Sequence, residues 1–176
     1  VVKWLDYIDT KIRHPDGGWV HTINPDGTPI DDKRDLYDHA FMILAGATAY
    51  QVTGNKTGLK IADDAITFID AELKDHEHGG WFEAKPATLP RRANPHMHLL
   101  EAMMAYHSAT GCEKALERAA EIVRLFECKF FNPANDVMAE FFTEDCAWTA
   151  PKIKPFGKRV TTMSGRRFCI SMRTSQ

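Results

Sequence analysis

Residues 91–102 read Arg-Arg-Ala-Asn-Pro-His-Met-His-Leu-Leu-Glu-Ala, and a helix is predicted to start inside this stretch. Pro95 has no backbone N–H to donate and its fixed φ angle suits a first helical turn, while the Asn94 side chain before it can cap the exposed N–H groups. Residues four apart share one face of a helix, so Asn94 and His98 align, with Glu101 beside them. A carboxamide, an imidazole and a carboxylate therefore form one polar stripe.

The helix that starts at Asn94 belongs to a pattern that repeats along the chain. Apolar residues recur at helical spacing in five segments. The predicted helices cover residues 2–12, 36–52, 59–73, 94–109 and 115–126. Thr53-Gly54 and Thr110-Gly111 end two of these helices 57 residues apart. The turns Gly17-Gly18-Trp19-Val20 and Gly79-Gly80-Trp81-Phe82 are 62 residues apart, so the sequence indicates a helix-pair repeat with loops of variable length.

Repeated helix pairs either close into a toroid or open into a solenoid. In a toroid, the N-terminal ends of the inner helices surround a central cup, which suits a small hydroxyl-rich ligand. Residues 18–30 predict a short hairpin-like excursion around the turn Asn24-Pro25-Asp26-Gly27. The pattern therefore predicts an all-α fold with short hairpin-like loops between its helices.

The composition is that of an ordinary globular domain. The 176 residues are 44% hydrophobic and 26% charged, which is enough for one domain with a core. No apolar run reaches the length of a membrane span and the first residues lack the apolar segment of a signal peptide, so a cytoplasmic setting without a membrane partner is predicted. The widely spaced cysteines form no CxxC pair, which predicts reduced thiols rather than a zinc knuckle or a disulfide framework. They are Cys112, Cys128, Cys146 and Cys169.

Charge is distributed unevenly along the chain. The net charge is −2, yet residues 151–176 hold seven basic and no acidic side chains. The basic residues are Lys152, Lys154, Lys158, Arg159, Arg166, Arg167 and Arg173. Such an arm can bind nucleic acid or an anionic surface, although this one is short and mixed with hydrophobic residues. The sequence therefore predicts one domain over residues 1–150, followed by a basic tail.

The run from Asn94 to Ala102 resembles the signature of the N-acylglucosamine 2-epimerase superfamily, and its Asn-Pro-His-Met-His form looks most like the mannose isomerase branch. Residues 35–41, Asp-Leu-Tyr-Asp-His-Ala-Phe, resemble a second recognisable segment of that family. The resemblance implies an (α/α)6 barrel, of which this chain would form roughly the first half. It also implies an enzyme that opens the ring of a free sugar and shifts a proton next to the carbonyl through an enediol-like intermediate, with two histidines as acid and base and no metal or other cofactor.

The resemblance also implies roles for three residues. His98 matches a motif position that assists ring opening and is the catalytic candidate, and Asn94 matches a position that holds the sugar. Tyr37 matches the tyrosine that reaches the sugar; the alternative is an interfacial tyrosine with a packed ring and a wet hydroxyl. Arg92, close by in sequence, could bind an anionic group on the sugar, and the alternative is a solvated arginine in a loop. For the stripe as a whole, the alternative is a capped amphipathic helix whose histidines only satisfy hydrogen bonds.

Other aromatic and histidine residues favour structural roles. His39 is more often structural than catalytic in such a position, because its neighbours begin the packed face of the helix. Trp19 and Trp81 can stack on sugar rings, but as repeated loop tryptophans they more simply fill the junctions between helix pairs. No metal site is predicted, since His96 and His98 point to different sides of a helix and His98 has only one further ligand beside it.

The next motif of the family, Gly-His-x-x-Glu-Trp followed by an apolar run, is absent from residues 143–176. In the reading frame formed by the last base of each codon and the first two bases of the next, Arg159 to Cys169 can spell Gly-His-x-x-Glu-Trp-Ala-x-Leu-Leu. This favours a frameshift between about Glu144 and Lys158 that replaced the motif with an artificial tail; the alternative is a natural divergent terminus. A shifted frame leaves this polypeptide without the acid and base histidines of the family.

These features together predict an aldose–ketose isomerase or sugar 2-epimerase for a mannose-type sugar, with this chain an incomplete form of it. An incomplete toroid leaves apolar helix faces open, which predicts association between copies as a homo-oligomer. Phosphorylated, N-acetylated and disaccharide substrates stay open. The alternative from another class is a non-catalytic helical-repeat scaffold or a sugar-binding module. A nucleic-acid partner rests only on the basic tail and is not predicted.

Overall fold

The computed structural model describes residues 2–133 and 136–147, and this part of the chain is built on α-helices. The helices are α1 (Val2–Lys11), α2 (Leu36–Thr53), α3 (Lys56–Phe68), α4 (Ala93–Thr110) and α5 (Glu113–Leu125). Each corresponds to a predicted helix, so the all-α prediction is confirmed. Helices α3 and α5 each continue into a π-helical turn, Ile69–Leu73 and Phe126–Phe130 respectively, which the sequence did not indicate. The basic tail, with the predicted frameshift, lies outside the described residues and stays a prediction.

The described residues also form four short antiparallel strand pairs. They are β1 (Thr22–Ile23) with β2 (Pro29–Asp31), β3 (Arg34–Asp35) with β4 (Ala84–Lys85), β5 (Arg91–Arg92) with β8 (Phe141–Phe142), and β6 (Phe131–Asn132) with β7 (Val137–Met138). The first pair is the predicted hairpin. Strands β3 and β5 run directly into α2 and α4, so their pairing with β4 and β8 fixes the N-terminal end of each of these helices.

The start of α4 differs from the prediction. The N-cap residue is Arg92 and Asn94 lies inside the first turn, where its side chain does not cap the helix. The physical reason is the strand that enters the helix, because the Ala93 N–H already donates to the carbonyl oxygen of Glu140 at 3.0 Å. The other ends follow the usual chemistry: the Asp35 side chain accepts the Tyr37 N–H, and Gly54 closes α2 in the left-handed conformation with φ 69°.

Helices α2 and α4 lie side by side and run in the same direction. Near their N-terminal ends, the rings of Tyr37 and His98 are 5.1 Å apart. Near their C-terminal ends, Gln51 Nε2 donates a hydrogen bond to Ser108 Oγ at 3.1 Å. Because α3 packs on α2 and α5 packs on α4, the described chain forms two helix pairs with α2 and α4 as neighbouring members. The shared core includes Ile43, Ile61, Ala65, Leu99, Met103, Ala119 and Ile122.

Two buried histidines attach the Gly-Gly-Trp turns to these helices. His39 accepts the Trp19 backbone N–H at its Nε2 and donates from Nδ1 to the Asp35 carbonyl oxygen, at 3.2 and 2.7 Å. His96 makes the same contacts one repeat later, with the Trp81 N–H at 3.1 Å and the Arg92 carbonyl oxygen at 3.0 Å. Both tryptophan side chains are fully buried. The structural roles predicted for His39 and the two tryptophans are therefore confirmed.

Within the described residues, no helix combines the length and the apolar character needed to cross a bilayer.

Candidate functional site

The N-terminal ends of α2 and α4 bring three of the predicted site residues to the same region. The Tyr37 ring meets the His98 imidazole edge-on, with centroids 5.1 Å apart and planes at 84°. Phe41, one turn along α2, lies 4.9 Å from the same imidazole. Asn94 is one turn before His98 on α4. Because the helices run parallel, they present a tyrosine on the first turn of α2 beside a carboxamide and an imidazole on the first two turns of α4.

The His98 imidazole is paired with a carboxylate and is partly exposed. Its Nδ1 lies 3.3 Å from Glu101 Oε2, and an ionised carboxylate can only accept, so Nδ1 carries the ring proton. The lone pair is then on Nε2. The imidazole side chain is 23% exposed, so a ligand can reach it. His96 is fully buried instead, which confirms that the two histidines face different sides of α4.

Asn94 offers an unsatisfied acceptor. Its Oδ1 is buried and has no hydrogen-bond partner among the described residues. Buried side-chain oxygens are nearly always paired in folded proteins, because an unpaired one forfeits its hydration without compensation. The carboxamide is therefore suited to accept a hydrogen bond from a ligand.

Arg92 lies on strand β5 and is engaged in an ion pair rather than solvated in a loop. Its Nε donates to Oε2 of Glu83, a carboxylate with only 4% of its side chain exposed, and 36% of the arginine side chain remains exposed. Burial raises the pKa of Glu83, and the Arg92 charge opposes that effect. The arginine is thus adjacent to the Asn94 turn, but its charge is already partly neutralised.

Phe41 and Glu83 were not among the predicted site residues. The Phe41 ring is partly exposed and contacts His98. A signal was available: Phe41 precedes His98 by 57 residues, which is the spacing of the helix repeat, so the two occupy equivalent positions. Glu83 lies in the loop after Trp81, and no pattern in the sequence indicates its pairing with Arg92.

An open groove of about 370 Å³ adjoins this region between α1 and α2. Tyr37 and Phe41 line it, together with Trp4 and Val20, whereas His98 and Asn94 do not. At its rim, His21 Nδ1 and Asp38 Oδ2 are 2.5 Å apart. Burial raises the pKa of Asp38, and the hydrogen bond from His21 opposes that shift. Across the described ranges, no group of three or more histidine, cysteine, aspartate or glutamate side chains is placed to hold a metal ion.

Known proteins resemble this chain in sequence and in fold. D-mannose isomerase of Thermobifida fusca is 34% identical over 140 residues, covering 76% of this chain and 34% of that protein. Mannose-6-phosphate isomerase of Rhizobium meliloti is 33% identical over 147 residues, covering 81% of this chain and 38% of that protein. The solved structure of cellobiose 2-epimerase from Spirochaeta thermophila superposes with a TM-score of 0.73 at 23% identity, over 80% of this chain and 39% of that one.

The architecture is therefore part of an (α/α)6 barrel, and the chain spans between a third and two fifths of the length of these proteins. The family model for N-acylglucosamine 2-epimerase (GlcNAc 2-epimerase) matches residues 1–158. That match covers both helix pairs, with the turns on which Tyr37, Asn94 and His98 lie. It shows that this chain belongs to the N-acylglucosamine 2-epimerase family.

Proposed function

We propose that this chain supplies one wall of the active site of a sugar isomerase or 2-epimerase that acts on a mannose-type sugar. The observation that carries the proposal is the contact between Tyr37 and His98 at the N-terminal ends of α2 and α4, with Asn94 one turn before His98. The likeness to a protein named D-mannose isomerase supports the choice of sugar.

The chemistry assigned to this wall is sugar binding and ring opening. In the opening of a cyclic sugar, the hydroxyl at carbon 1 loses its proton, the bond between carbon 1 and the ring oxygen breaks, and the ring oxygen gains a proton. His98 Nε2 would accept the first proton and then return it to the ring oxygen. The Glu101 carboxylate on Nδ1 would stabilise the imidazolium that forms. Asn94 Oδ1 would accept a sugar hydroxyl, while the rings of Tyr37 and Phe41 pack against the carbon skeleton.

The proton shift at carbon 2 needs further acid and base groups. Among the described residues, His39 and His96 are unsuitable because both imidazoles are buried and bonded at both nitrogens. We assign the acid and base to the part of the family fold that this chain does not span. Whether the proton returns to the same carbon or to its neighbour decides between epimerisation and isomerisation, and it depends on those groups.

An uncharged sugar is favoured over a phosphorylated one. Arg92 is the cation closest in sequence to the Asn94 turn, and its ion pair with Glu83 would have to break or share its charge before the arginine could bind a phosphate. The relative named mannose-6-phosphate isomerase makes the phosphorylated sugar the second candidate. For the setting of the enzyme we propose the cytoplasm, because Cys112, Cys128 and Cys146 are free thiols, as is usual in a reducing compartment.

The test is proton exchange at carbon 2. A chimera in which residues 2–147 replace the matching segment of the Thermobifida fusca D-mannose isomerase is incubated with mannose in heavy water. We expect deuterium at carbon 2 by NMR, loss of at least about a hundredfold in the exchange rate for His98→Ala because general acid–base catalysis contributes that much, and an unchanged rate for the exposed-loop control His76→Ala. A folded chimera without exchange would favour the alternative of a non-catalytic scaffold or sugar-binding module.

A further inference from the structure

Glu83 connects the first turns of both helices that carry the site. Its carbonyl oxygen accepts the Leu36 N–H at 2.9 Å, directly before Tyr37. The next residue, Ala84, pairs with Asp35 across the β3–β4 ladder. Its side chain reaches the other helix, because Oε2 accepts a hydrogen bond from Arg92 Nε. The carboxylate is therefore fixed between the N-terminal ends of α2 and α4.

The second carboxylate oxygen of Glu83 is unused. Oε1 is buried and has no hydrogen-bond partner among the described residues, although 96% of the side chain is shielded from solvent. Asn94 lies two residues after Arg92, and its Oδ1 is likewise buried without a hydrogen-bond partner among the described residues. Both atoms can only accept hydrogen bonds, as long as the Glu83 carboxyl is ionised by its pairing with Arg92. The chain therefore holds two acceptors without donors, one beside the start of β4 and one on the first turn of α4. Hydroxyl groups of a ligand could supply donors to both.

The Gly-Gly-Trp turn does not by itself require a buried carboxylate two residues after its tryptophan. Glu83 follows Trp81 by two residues, as His21 follows Trp19 in the first repeat. His21 forms its contact with Asp38 on α2 and keeps a third of its side chain exposed. In the first repeat, the residue two positions after the tryptophan is therefore a partly exposed histidine that contacts α2, and not a buried carboxylate. A buried, half-paired glutamate is specific to the repeat that carries Asn94 and His98.

We propose that Glu83 is a specificity-determining residue of the sugar site, whose unpaired carboxylate oxygen accepts a hydrogen bond from one hydroxyl of the sugar beside the hydroxyl accepted by Asn94. Arg92 holds the other oxygen and so orients the carboxylate. This inference rests on the proposed sugar site and adds to it a residue that selects for a hydroxyl at one ring position. The chemical class recognised is a neutral polyhydroxylated sugar.

The test measures which hydroxyl each variant recognises. The 176-residue chain is titrated by NMR with mannose and with the set of mannoses that each lack a single hydroxyl. For the wild-type chain, we expect two of these deoxy sugars to bind more weakly than mannose, one for each acceptor. The sugar that loses the bond to Glu83 should weaken at least about tenfold, because a hydrogen bond to a charged group contributes this much, and the sugar that loses the bond to Asn94 should weaken less. For Glu83→Ala, mannose itself weakens by a similar factor, and one of those two deoxy sugars then binds as well as mannose does.

Two further variants separate the proposal from its alternatives. Glu83→Gln keeps the size of the side chain and its bond to Arg92, and it should show the same hydroxyl-specific loss if Glu83→Ala fails to fold. Glu72→Gln removes a carboxylate of the nearby ion pair with Lys85 and should bind all the sugars as the wild type does. A parallel loss for every sugar would reveal a merely structural glutamate, and unchanged mannose binding would mean that the free oxygen serves a water molecule; either result overturns the proposal.

The proposed function fails in a recognisably different way. If the sugar site itself is wrong, the wild-type chain shows no loss for any deoxy sugar, and His98→Ala leaves mannose binding unaltered. If the site is right and only the role of Glu83 is wrong, His98→Ala weakens mannose binding while Glu83→Ala does not change the ranking of the deoxy sugars.

Discussion

At the scale of single residues, the two buried histidines show how this fold uses an ionisable side chain as a structural brace. In both His39 and His96, Nδ1 donates to the carbonyl oxygen four residues earlier and Nε2 accepts a tryptophan N–H. Protonation would place a second ring N–H against the tryptophan N–H. Burial lowers the pKa of each imidazole to about 4, so both are neutral near neutral pH.

We therefore expect the chain to lose stability as the pH falls from about 6.5 to about 4. The unfolded chain binds these two protons near pH 6.5, whereas the folded chain resists them, so the stabilisation is complete above 6.5 and disappears as the pH approaches the folded pKa. Each histidine contributes up to about 3 kcal/mol over this range. Urea unfolding at a series of pH values measures the effect.

His96→Gln and the exposed His76→Gln provide the matched comparison. His96→Gln should be less stable at pH 7 and show a shallower decline toward pH 4, while His76→Gln should keep the wild-type slope. Asp38 and Glu83, whose pKa values are raised by burial, partly offset the decline in both variants alike. If the free energy of unfolding falls with pH equally steeply in His96→Gln and the wild type, the neutral His96 imidazole does not stabilise the fold as described.

Residue-level prediction from sequence succeeded where one helix determines the geometry. The contact of His98 with Glu101 follows from helical spacing and is observed, and Asn94 lies one turn before His98 on the same helix. Tyr37 could be assigned only through the family resemblance, because its contact with His98 crosses between helices. Capping by Asn94 was a wrong prediction, since the partner of the helix N-terminus is a strand that comes almost fifty residues later.

At the scale of elements, close approach of two glycines lets α2 and α3 pack. A Cβ built on Gly46 would lie 2.4 Å from the Gly58 carbonyl oxygen and 3.2 Å from the Ala62 Cβ. The first distance is far below van der Waals contact, and its partner is backbone, which cannot rotate away. Gly46 lies between Ala45 and Ala47, and a run of small residues of this kind is typical of helices that approach closely.

Gly46→Ala should therefore destabilise the chain by about 1–3 kcal/mol, the usual cost of overpacking, although alanine favours helix by roughly 1 kcal/mol over glycine. Chemical denaturation of the variant measures this. The matched control is Ala45→Gly at the exposed neighbouring position, which should lose roughly 0.5–1 kcal/mol through helix propensity alone. A Gly46→Ala chain more stable than the wild type would show that the two helices do not meet as described.

Element boundaries were predictable at the C-terminal ends and less so elsewhere. The dipeptides Thr53-Gly54 and Thr110-Gly111 predicted the ends of α2 and α4. Gly54 and Gly111 close these helices with left-handed φ angles of 69° and 73°. The helix predicted over residues 59–73 instead begins at Lys56 and ends in the π-helical turn Ile69–Leu73. Apolar spacing does not distinguish an α-turn from a π-turn over five residues.

At the scale of the whole molecule, one side of α2 is apolar and open. Phe41 and Val52 are exposed on it, and a groove of about 420 Å³ runs between them, lined also by Leu44, Ala45, Thr48, Ala49 and Thr53. The sequence predicted open apolar faces from the small number of helices relative to a complete barrel, and the chain spans 34% of the Thermobifida fusca relative. Which residues would face outward required the structure, because α2 is nearly uniformly apolar and its spacing marks no single buried side. Association between copies through this face stays a prediction.

Locating bound mannose on the 176-residue chain shows whether the N-terminal ends of α2 and α4 hold a sugar. Intermolecular NMR contacts are measured between the protons of mannose and the aromatic rings of the labelled protein. We expect contacts to the ring of His98 together with those of Tyr37 and Phe41, lost in His98→Ala and retained in His76→Ala. Because Tyr37 and Phe41 also line the groove beside Trp4, whereas His98 does not, contacts to Trp4 without any to His98 would contradict the sugar site, as would sugar that binds elsewhere.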